Sequence, residues 1–398
     1  MKKILLILLF LSFIPSCVVL ADAPFHIGIV TASVSQAEDA YRGAERLVEE
    51  YGRISDGGIF DHLTLPDNFA AEMETTINQI VSFAEDPLMK AIVLEPGMDG
   101  TVEAFRRVRA LRPDILLLAG EPAEDPLMLA ETADLSIYAD LISRGYTTAV
   151  EAKKMGADTL VYIAFPRAIS IELIGRHRDI TEAACEDLGL KFINVGAPDP
   201  ASDVGVAGAQ QFILEKVPAW IDQYGTKSAF FAPIQGHQEP LVRRVLEGGA
   251  IYLEPVAASP TMGYPGALGI GFEESEKGDW PKILEKVEEA VIARGGSGRM
   301  ATWAYSLAYS FVASLGEHAK RVIEGQSEIL NIDDIMDAFS KYTPGAEWKG
   351  NYLVDPDGIE RENYLLLYQD TYVHGLGYLK VTSEEIPKKY YDPNIGKK

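Results

Sequence analysis

Cysteine is scarce in this chain of 398 residues, which contains only Cys17 and Cys185. Cys17 falls in an N-terminal segment that we predict to be removed, so Cys185 has no partner for an intramolecular disulfide. We expect Cys185 to lie on a helix as a small buried apolar residue, not as a reactive thiol. Without disulfides the fold needs a large core, and a hydrophobic content of 47% is enough for two domains of ordinary size.

Basic residues are too few to balance the acidic ones. The chain has 36 lysines and arginines against 59 aspartates and glutamates, and its formal net charge is −23. A chain of this charge is a poor partner for nucleic acid and for anionic membrane surfaces, so we predict neither as a partner. The charge alone identifies no ligand.

Beyond its N-terminus, the sequence has no apolar run long enough to span a bilayer. At the N-terminus, Lys2 and Lys3 precede a short apolar run, Ile4–Leu11, and small residues follow near Ala21. This is the pattern of a secretory signal peptide, which we predict over residues 1–21. We therefore expect the mature chain to be soluble and exported, to the periplasm or the outer face of the cytoplasmic membrane.

A second interpretation of the same segment is a lipoprotein signal that ends at Cys17. Residues Ile14–Cys17 have the outline of such a signal, although Pro15 fits it badly. A lipid on Cys17 would anchor the protein to the membrane, whereas cleavage after Ala21 would release it. Lipidation is therefore the alternative to the removed signal peptide.

The signatures of nucleotide-dependent and metal-dependent enzymes are missing from the sequence. No Gly-x-Gly-x-x-Gly follows the first predicted strand, and Gly225–Ser228 lacks the earlier glycine of a phosphate-binding loop. Gly296–Gly298 is followed by Arg299, so it does not complete the Gly-x-Ser-x-Gly turn of serine hydrolases. No His-Glu-x-x-His or paired cysteine motif indicates zinc. We predict no cofactor and no metal site.

Strand-like and helix-like segments alternate along the chain. The strand candidates are short continuous apolar runs, which are typical of strands buried on both faces of a parallel sheet. We predict strands at 25–31, 60–65, 91–95, 115–120, 135–138, 159–165, 192–195, 228–232, 250–254 and 267–272. Helical patterns fill the gaps, so the alternation predicts an α/β fold with doubly wound parallel sheets.

The predicted elements form two blocks, each the size of one domain. The first lobe is predicted over residues 24–142, together with a return of the chain at about 299–345 that contains a long helix. The second lobe is predicted over residues 143–298 and about 346–380. The remaining residues, 381–398, are predicted to form a tail.

Polar residues follow most of the predicted strands. In open α/β sheets, ligands bind beyond the carboxyl ends of the strands, where the strand order changes direction. The residues at these ends are Thr31, Ser33, Ser35, Gln36, Glu95 and Glu121 in the first block, and Arg167, Gln235, His237 and Glu254 in the second. Polar ends on apolar strands in two blocks predict a cleft between two lobes.

This arrangement resembles the type I periplasmic solute-binding proteins, the two-lobed receptors of bacterial uptake systems. The sharpest local match is Ile27–Thr31 with the following helix, which carries Asp39 and Gly43. That stretch is similar to the opening of the basic-membrane-protein-type (nucleoside) receptors, and the nearest likeness is a family of uncharacterised bacterial periplasmic proteins in this superfamily. The resemblance implies a monomer whose two lobes, joined by a multi-strand hinge, close around a small molecule.

The resemblance also implies roles for the residues at the strand ends. Glu95 and Glu121 would accept hydrogen bonds or face a cation. Arg167 would pair with a carboxylate or phosphate of the ligand, because its planar guanidinium suits both. The other implied contacts are hydroxyl and amide groups of Thr31, Ser33, Ser35 and Gln36, the second-lobe groups Gln235, His237 and Glu254, and the stacking rings of Tyr264 and Trp303.

Several of these residues also have a purely structural interpretation. Ser35 with Glu38 forms the pattern of a helix capping box. Trp303 lies in phase with an apolar helix stripe, which favours core packing. Glu95 and Glu254 each precede a proline and could face solvent beside a rigid turn.

Three functions remain open at this point. The first is a non-catalytic receptor that binds a small polar molecule and delivers it to the permease of an ABC-type uptake system. The second is an exported hydrolase or lyase, which requires Glu95, Glu121 and Glu254 to converge on one point. The third is a sensory receptor for chemotaxis or signalling, which would use the same closure around a solute.

Overall fold

The computed structural model describes residues 25–67, 69, 71–355, 357–392 and 394–395. The predicted signal peptide, including Cys17, lies outside these residues, so cleavage and lipidation stay predictions. Cys185 is a buried residue of a helix, as predicted. Within the described ranges, no helix combines the length and the apolar character needed to cross a membrane.

Strands and helices alternate from the first described residues onward. The first part contains β1 (His26–Thr31), α1 (Val34–Tyr51), β2 (Phe60–Thr64), α2 (Met73–Ser82), β3 (Met89–Glu95), α3 (Thr101–Leu111), β4 (Leu116–Gly120), α4 (Pro126–Thr132) and β5 (Leu135–Ala139). The middle part contains α5 (Leu141–Lys154), β6 (Thr159–Ala164), α6 (Pro166–Ser170), α7 (Glu172–Leu188), β7 (Lys191–Gly196), α8 (Gly205–Tyr224), β8 (Ser228–Phe231), α9 (Gln238–Gly248), β9 (Ile251–Tyr252), α10 (Tyr264–Leu268) and α11 (Trp280–Ala293). The last part contains β10 (Ala301–Thr302), α12 (Leu307–Ile323), α13 (Ile332–Tyr342), β11 (Trp348–Val354), β12 (Glu360–Gln369), β13 (Tyr372–Val373) and β14 (Gly377–Tyr378).

Seven strands form the sheet of the first lobe, in the order β11-β12-β5-β4-β3-β1-β2. Neighbouring strands pair in parallel except β11, which runs antiparallel to β12. The apolar run Ile27–Val30 of β1 is fully buried, as expected for a central strand with helices on both faces. The strand order reverses at β1, and α1 begins there.

The sheet of the second lobe has four parallel strands in the order β7-β6-β8-β9. In both sheets the first strand lies between the second and the third, so the two lobes share a doubly wound order. Tyr252 of β9 also pairs with Met300, which leads into a small antiparallel sheet of β10, β13 and β14. The predicted α/β fold with two doubly wound parallel-sheet lobes is confirmed.

The predicted strand at 267–272 is wrong. Its first residues belong to the short helix α10, which Pro265 favours in its first turn and Gly269 ends with a φ of 65°. The position beside β9 is taken by Met300 instead. The apolar residues here lie between Pro265 and Gly269, and this spacing is typical of a short helix and not of a strand.

The chain beyond about residue 346 does not return to the second lobe as predicted. β11 and β12 extend the sheet of the first lobe, because the apolar run Tyr364–Leu367 of β12 pairs in parallel with β5. The chain then leaves this sheet, and Tyr390 packs against Tyr146 of α5 with ring centroids 4.8 Å apart. The predicted long helix of the return segment begins only at α12, since β10 precedes it.

Helices α1 and α12 lie against each other on one face of the first sheet. A Cβ on Gly43 of α1 would be 2.4 Å from Val312, and a Cβ on Gly316 of α12 would be 2.4 Å from Leu47. Glycine at these two points therefore permits the close approach of the helices. Both helices begin at the edge of the sheet that faces the second lobe.

The chain crosses between the lobes after β5, after β10 and after β12. Beside these crossings, the buried Arg144 of α5 forms an ion pair with Glu254, with 2.6 Å between Nη1 and Oε1. Thr371 donates a 2.7 Å hydrogen bond to the same carboxylate, and the guanidinium lies over the ring of Trp303. Burial and the charge of Glu254 raise the pKa of the neighbouring Glu151. Residues from all three crossings thus meet in one buried contact.

Arg144→Met is expected to lower the free energy of unfolding by about 3–5 kcal/mol, because Glu254 would stay buried without its counter-charge. Denaturant unfolding followed by circular dichroism measures the change. Arg107→Met is the control, since Arg107 pairs with Glu74 on the surface at 2.6 Å and its loss should cost no more than about 1 kcal/mol. Equal losses in the two variants would contradict a special role for the buried pair.

Candidate functional site

The carboxyl ends of the first sheet face the second lobe across a cavity of about 670 Å³. One wall consists of the start of α1, the residues that end or follow β3, β4 and β5, and the start of α12. The opposite wall consists of Gln235 and of the loop 257–262, which follows β9. This position, at the reversal of the strand order, is where open α/β sheets bind ligands.

Glu95, the last residue of β3, lines this cavity and is fully buried. Apart from the neighbouring Glu121 carboxyl, no described group donates a hydrogen bond to its carboxyl oxygens. Gly120 at the end of β4 makes room for the carboxyl group, since a Cβ on Gly120 would lie 1.8 Å from Oε2 of Glu95. A buried carboxyl group without a donor is unfavourable, so its oxygens are available to a ligand.

Glu121 follows β4 directly and lines the same cavity as Glu95. The two carboxyl groups are close enough to hydrogen-bond when one of them is protonated. Burial, with added repulsion from Glu121, raises the pKa of Glu95 well above its ordinary value. Burial also raises the pKa of Glu121 to about 7, although the hydrogen bond with Glu95 opposes this shift. The pair therefore holds at least one proton at neutral pH.

The backbone at Glu121 is strained. Its φ is +42°, in a region that residues other than glycine rarely adopt, and its N–H donates to the carbonyl of Ile137 at 3.0 Å. Strain of this kind is concentrated at functional sites. Tyr138 on β5 lines the cavity as well, and burial followed by the charge of Glu121 raises the pKa of Tyr138 to about 12.

Asp39 on α1 joins the two walls of the cavity. Its carboxylate accepts hydrogen bonds from the hydroxyl of Thr261 at 3.1 Å and of Ser259 at 3.4 Å, both in the loop after β9. Ser306 also donates to it, and burial raises the pKa of Asp39. Sequence analysis named Asp39 only as part of the family resemblance. That resemblance, an aspartate near the start of the helix after the first strand, was the one signal for it.

The hydroxyl-rich turn after β1 differs from its prediction. Ser33 is the N-cap of α1 without a side-chain capping bond, so the predicted capping box of Ser35 and Glu38 is wrong. Ser33 and Ser35 both donate to the carboxylate of Asp67, and the side chain of Gln36 donates to its backbone carbonyl. Ser35 and Gln36 line the cavity. Asp67 was missed because it lies in a loop without a motif.

Glu38 takes part in ion pairs at the edge of the cavity instead of capping α1. It pairs with Arg42 at 3.1 Å and, across the cleft, with Lys277 at 3.0 Å. Arg42 in turn pairs with Glu274 on the same second-lobe segment. These ion pairs join α1 to the chain just before α11.

Three predicted contacts lie outside the cavity. Thr31 is buried, and its hydroxyl is 2.7 Å from Nε2 of His62. Arg167 forms a two-pronged ion pair with Asp199, including a 2.8 Å bond from Nη2, so its guanidinium is already matched. His237 is buried, and its Nε2 is 3.1 Å from a backbone carbonyl in the loop after β7.

Three further predicted contacts belong to the core. Glu254 is bound by the hinge arginine, Tyr264 donates to a backbone carbonyl of β10 at 2.6 Å, and Trp303 packs against a second tryptophan ring. The rings of Tyr264 and Trp303 are therefore not stacking surfaces for a ligand in this cavity. The convergence of Glu95, Glu121 and Glu254 that a three-carboxylate hydrolase requires is not present.

The cavity brings together five of the predicted residues: Ser35, Gln36, Glu95, Glu121 and Gln235. Their role as ligand contacts stays a prediction. Among the residues that the structure describes, no group of three or more His, Cys, Asp or Glu side chains is placed to hold a metal ion.

A second cavity, of about 650 Å³, lies between α1, α12, α13 and the start of α11. Several of its charged groups form ion pairs, as Lys341 does with Glu50 at 2.7 Å. None of the residues that end or follow strands β1 to β5 lines it. We therefore assign the candidate site to the cavity between the lobes.

Glu95→Gln is expected to stabilise the protein increasingly as the pH rises. The unfolded chain releases this proton near the ordinary pKa of 4.5, whereas burial raises the pKa of the folded carboxyl group. The resulting contribution to stability is complete below the unfolded pKa and is lost as the pH rises towards the folded one. The difference in Tm between the variant and the wild type should therefore grow between about pH 5 and pH 8.

Glu131→Gln is the matched control, because Glu131 is an exposed carboxylate of α4 outside this cavity. Thermal unfolding of both variants across the pH range makes the comparison. A Tm difference for Glu95→Gln that stays constant with pH would contradict the raised pKa.

Comparison with known proteins identifies a family. A family model described as "Protein of unknown function (DUF3798)" matches residues 25–301. Two proteins of Treponema pallidum (strain Nichols), both described as uncharacterized, are similar to the chain. One is 40% identical over 179 residues, which are 44% of this chain and 81% of the relative. The other is 36% identical over 221 residues, which are 56% of this chain and 100% of the relative.

Two solved structures share the fold. One, from Clostridium difficile 630 and provisionally described as a transcriptional regulator, has a TM-score of 0.78 and 22% identity, with 88% of this chain and 99% of that chain covered. The other, a sugar ABC transporter protein from Actinomyces odontolyticus ATCC 17982, has a TM-score of 0.53 and 9% identity, with 91% and 98% covered. These similarities concern the fold alone. The sequence match over residues 25–301 shows that this chain belongs to the DUF3798 family.

Proposed function

We propose that this protein is a non-catalytic receptor that binds a small polar solute between its two lobes. The proposal depends on one observation, the burial and hydrogen bonding of the Glu95 carboxyl group. It is fully buried in the cavity between the lobes, and apart from the proton that it can share with Glu121 its carboxyl oxygens have no donor among the described residues. A solute that donates hydrogen bonds to this group would remove the cost of its burial.

The contacts between the two walls support a receptor that closes on its solute. Asp39 accepts hydrogen bonds from Thr261 and Ser259 across the cavity, and Glu38 pairs with Lys277 at its edge. Polar contacts of this kind exchange readily with water, so the lobes can separate and close again about the three crossings. Closure would exclude water from the carboxyl pair and strengthen its contacts with the solute.

The N-terminal segment and the fold support a role in uptake. The predicted signal peptide at 1–21 favours a periplasmic location, or the outer face of the cytoplasmic membrane if Cys17 carries a lipid. The fold is shared with a protein of a sugar ABC transporter from Actinomyces odontolyticus. We therefore infer delivery of the solute to the permease of an ABC-type system. A sensory receptor would close in the same way.

A hydrolase or lyase that uses Glu95 and Glu121 alone, without Glu254, is the second candidate, and one observation favours it. Glu95 and Glu121 form a buried carboxyl pair with raised pKa values, which is an arrangement used in general acid–base catalysis. The two functions differ in the fate of the captured molecule. An unchanged mass after prolonged incubation supports binding, whereas conversion to a new mass supports catalysis.

Ala123→Trp is expected to abolish solute capture. Ala123 is exposed and lines the cavity, so a tryptophan would fill the cavity without disturbing the core. The wild-type protein and the variant are incubated with the low-molecular-mass fraction of a bacterial extract and analysed by native mass spectrometry. A solute present at about 100 times its Kd should also raise the free energy of unfolding by about 2.7 kcal/mol.

Ala110→Trp is the matched control, because Ala110 is an exposed alanine of α3 outside the cavity. Capture by the wild type and Ala110→Trp but not by Ala123→Trp supports the proposal. Equal capture by Ala123→Trp, or no capture by the wild type, would overturn it.

A further inference from the structure

The wall of the interlobe cavity is rich in hydrogen-bond acceptors and poor in positive charge. Its carboxylate side chains are Glu38, Asp39, Glu95 and Glu121, and no described lysine, arginine or histidine lines it. Glu38 is matched by ion pairs, and Asp39 is matched by hydroxyl donors. The unmatched acceptors are therefore concentrated at Glu95 and its neighbour Glu121.

The unmatched pair is complementary to a group that only donates hydrogen bonds. An ammonium group donates three hydrogen bonds and accepts none, whereas each hydroxyl of a neutral polyol both donates and accepts. A polyol would need donors from the wall, but Ser35 and Gln36 already donate to Asp67, and Ser259 and Thr261 to Asp39. The remaining side-chain donors are few, chiefly Tyr138 and Gln235. Apolar side chains, including those of Ala258, Met262 and Leu307, complete the lining and suit a hydrocarbon portion of the solute.

We propose that the solute of this cavity is a small organic cation with an aliphatic portion, whose ammonium group binds the carboxyl pair Glu95–Glu121. The inference rests on the proposed function, because it requires this cavity to be the solute site. The ammonium group would take the position of the proton that the free pair shares, and that proton would pass to the solvent. One positive charge would leave as another arrives, so the net charge of the closed site would not change.

The other groups around the pair do not oppose this exchange. Tyr138 on β5 stays neutral at physiological pH, because burial raises its pKa to about 12. On α1, Glu38 is paired with Arg42 and Lys277 and Asp39 accepts hydrogen bonds from hydroxyl groups, so neither leaves an unpaired charge beside the pair. Gly120 on β4 and the neighbouring Phe311 on α12 carry no charge.

Isothermal titration with n-butylamine, n-butanol and myo-inositol tests the inference. We expect n-butylamine to bind at least about 30-fold more tightly than n-butanol, which has the same hydrocarbon chain without the charge. Titrations in phosphate and in HEPES, which differ in protonation enthalpy and contain no primary amine, should show release of about one proton for each amine bound. Because binding releases a proton, the affinity should rise by up to about tenfold for each unit by which the pH is raised, over the range in which the free carboxyl pair is still protonated.

Variants of the pair supply the second arm of the experiment. Glu95→Gln and Glu121→Gln should each weaken n-butylamine binding by at least about 30-fold and remove the dependence of the titration heat on the buffer. Glu131→Gln should bind like the wild type. Circular dichroism and Tm establish that each variant is folded.

The outcomes separate this inference from the proposed function. Tighter binding of myo-inositol than of n-butylamine, no amine binding, or amine binding that Glu95→Gln leaves unchanged would overturn the ammonium inference alone. In those cases solute capture blocked by Ala123→Trp would still support a receptor. Amine binding that persists in Ala123→Trp would overturn both, because the solute would then lie outside the cavity.

Discussion

The two-lobed arrangement depends on the buried ion pair between Arg144 and Glu254. Its partners come from segments next to the chain crossings, and Thr371 and Trp303 from the other crossings complete its surroundings. An ion pair this deeply buried holds only if both partners are present, because either charge alone would be strongly unfavourable. It therefore fixes where the lobes join and leaves their opposite edges to meet through weaker polar contacts. The strong contact at the junction can act as a hinge, and the weaker contacts at the opposite edges can open and close as a cleft.

In the cleft, by contrast, a carboxyl group is buried without a counter-charge. At the hinge a carboxylate is matched by a guanidinium, whereas Glu95 is buried against another carboxyl group. Arg144 thus offsets the cost of burying Glu254, although the neighbouring Glu151 is also buried and its oxygens have no described hydrogen-bond partner apart from the Glu254 carboxyl, whereas Glu95 has no counter-charge beside it. Gly120, which leaves space for the Glu95 carboxyl, and the strained backbone at Glu121 indicate that this imbalance is built into the strand ends.

Sequence reasoning predicted the strands of the first lobe well, because a continuous apolar run such as Ile27–Val30 records burial on both faces. It placed β12 in the wrong lobe, because pairing with a strand more than two hundred residues away leaves no local pattern. The same limit applies to the site. Glu95 and Glu254 look identical in sequence, each a glutamate before a proline at a strand end. What separates them is Arg144, 110 residues from Glu254 and visible only once the chain is folded.

The position of β12 in the first sheet also determines which of the two sheets can be completed first during synthesis. The strands of the second-lobe sheet, β6 to β9, come from a continuous stretch, so all of them exist before the last part of the chain is made, although Ile386 and Tyr390 join the core of that lobe later. The first lobe begins earlier but stays open at β5 until residues 360–369 arrive. The sheet that starts first is therefore completed last, and until then the exposed edge of β5 is a point where the nascent chain can pair wrongly.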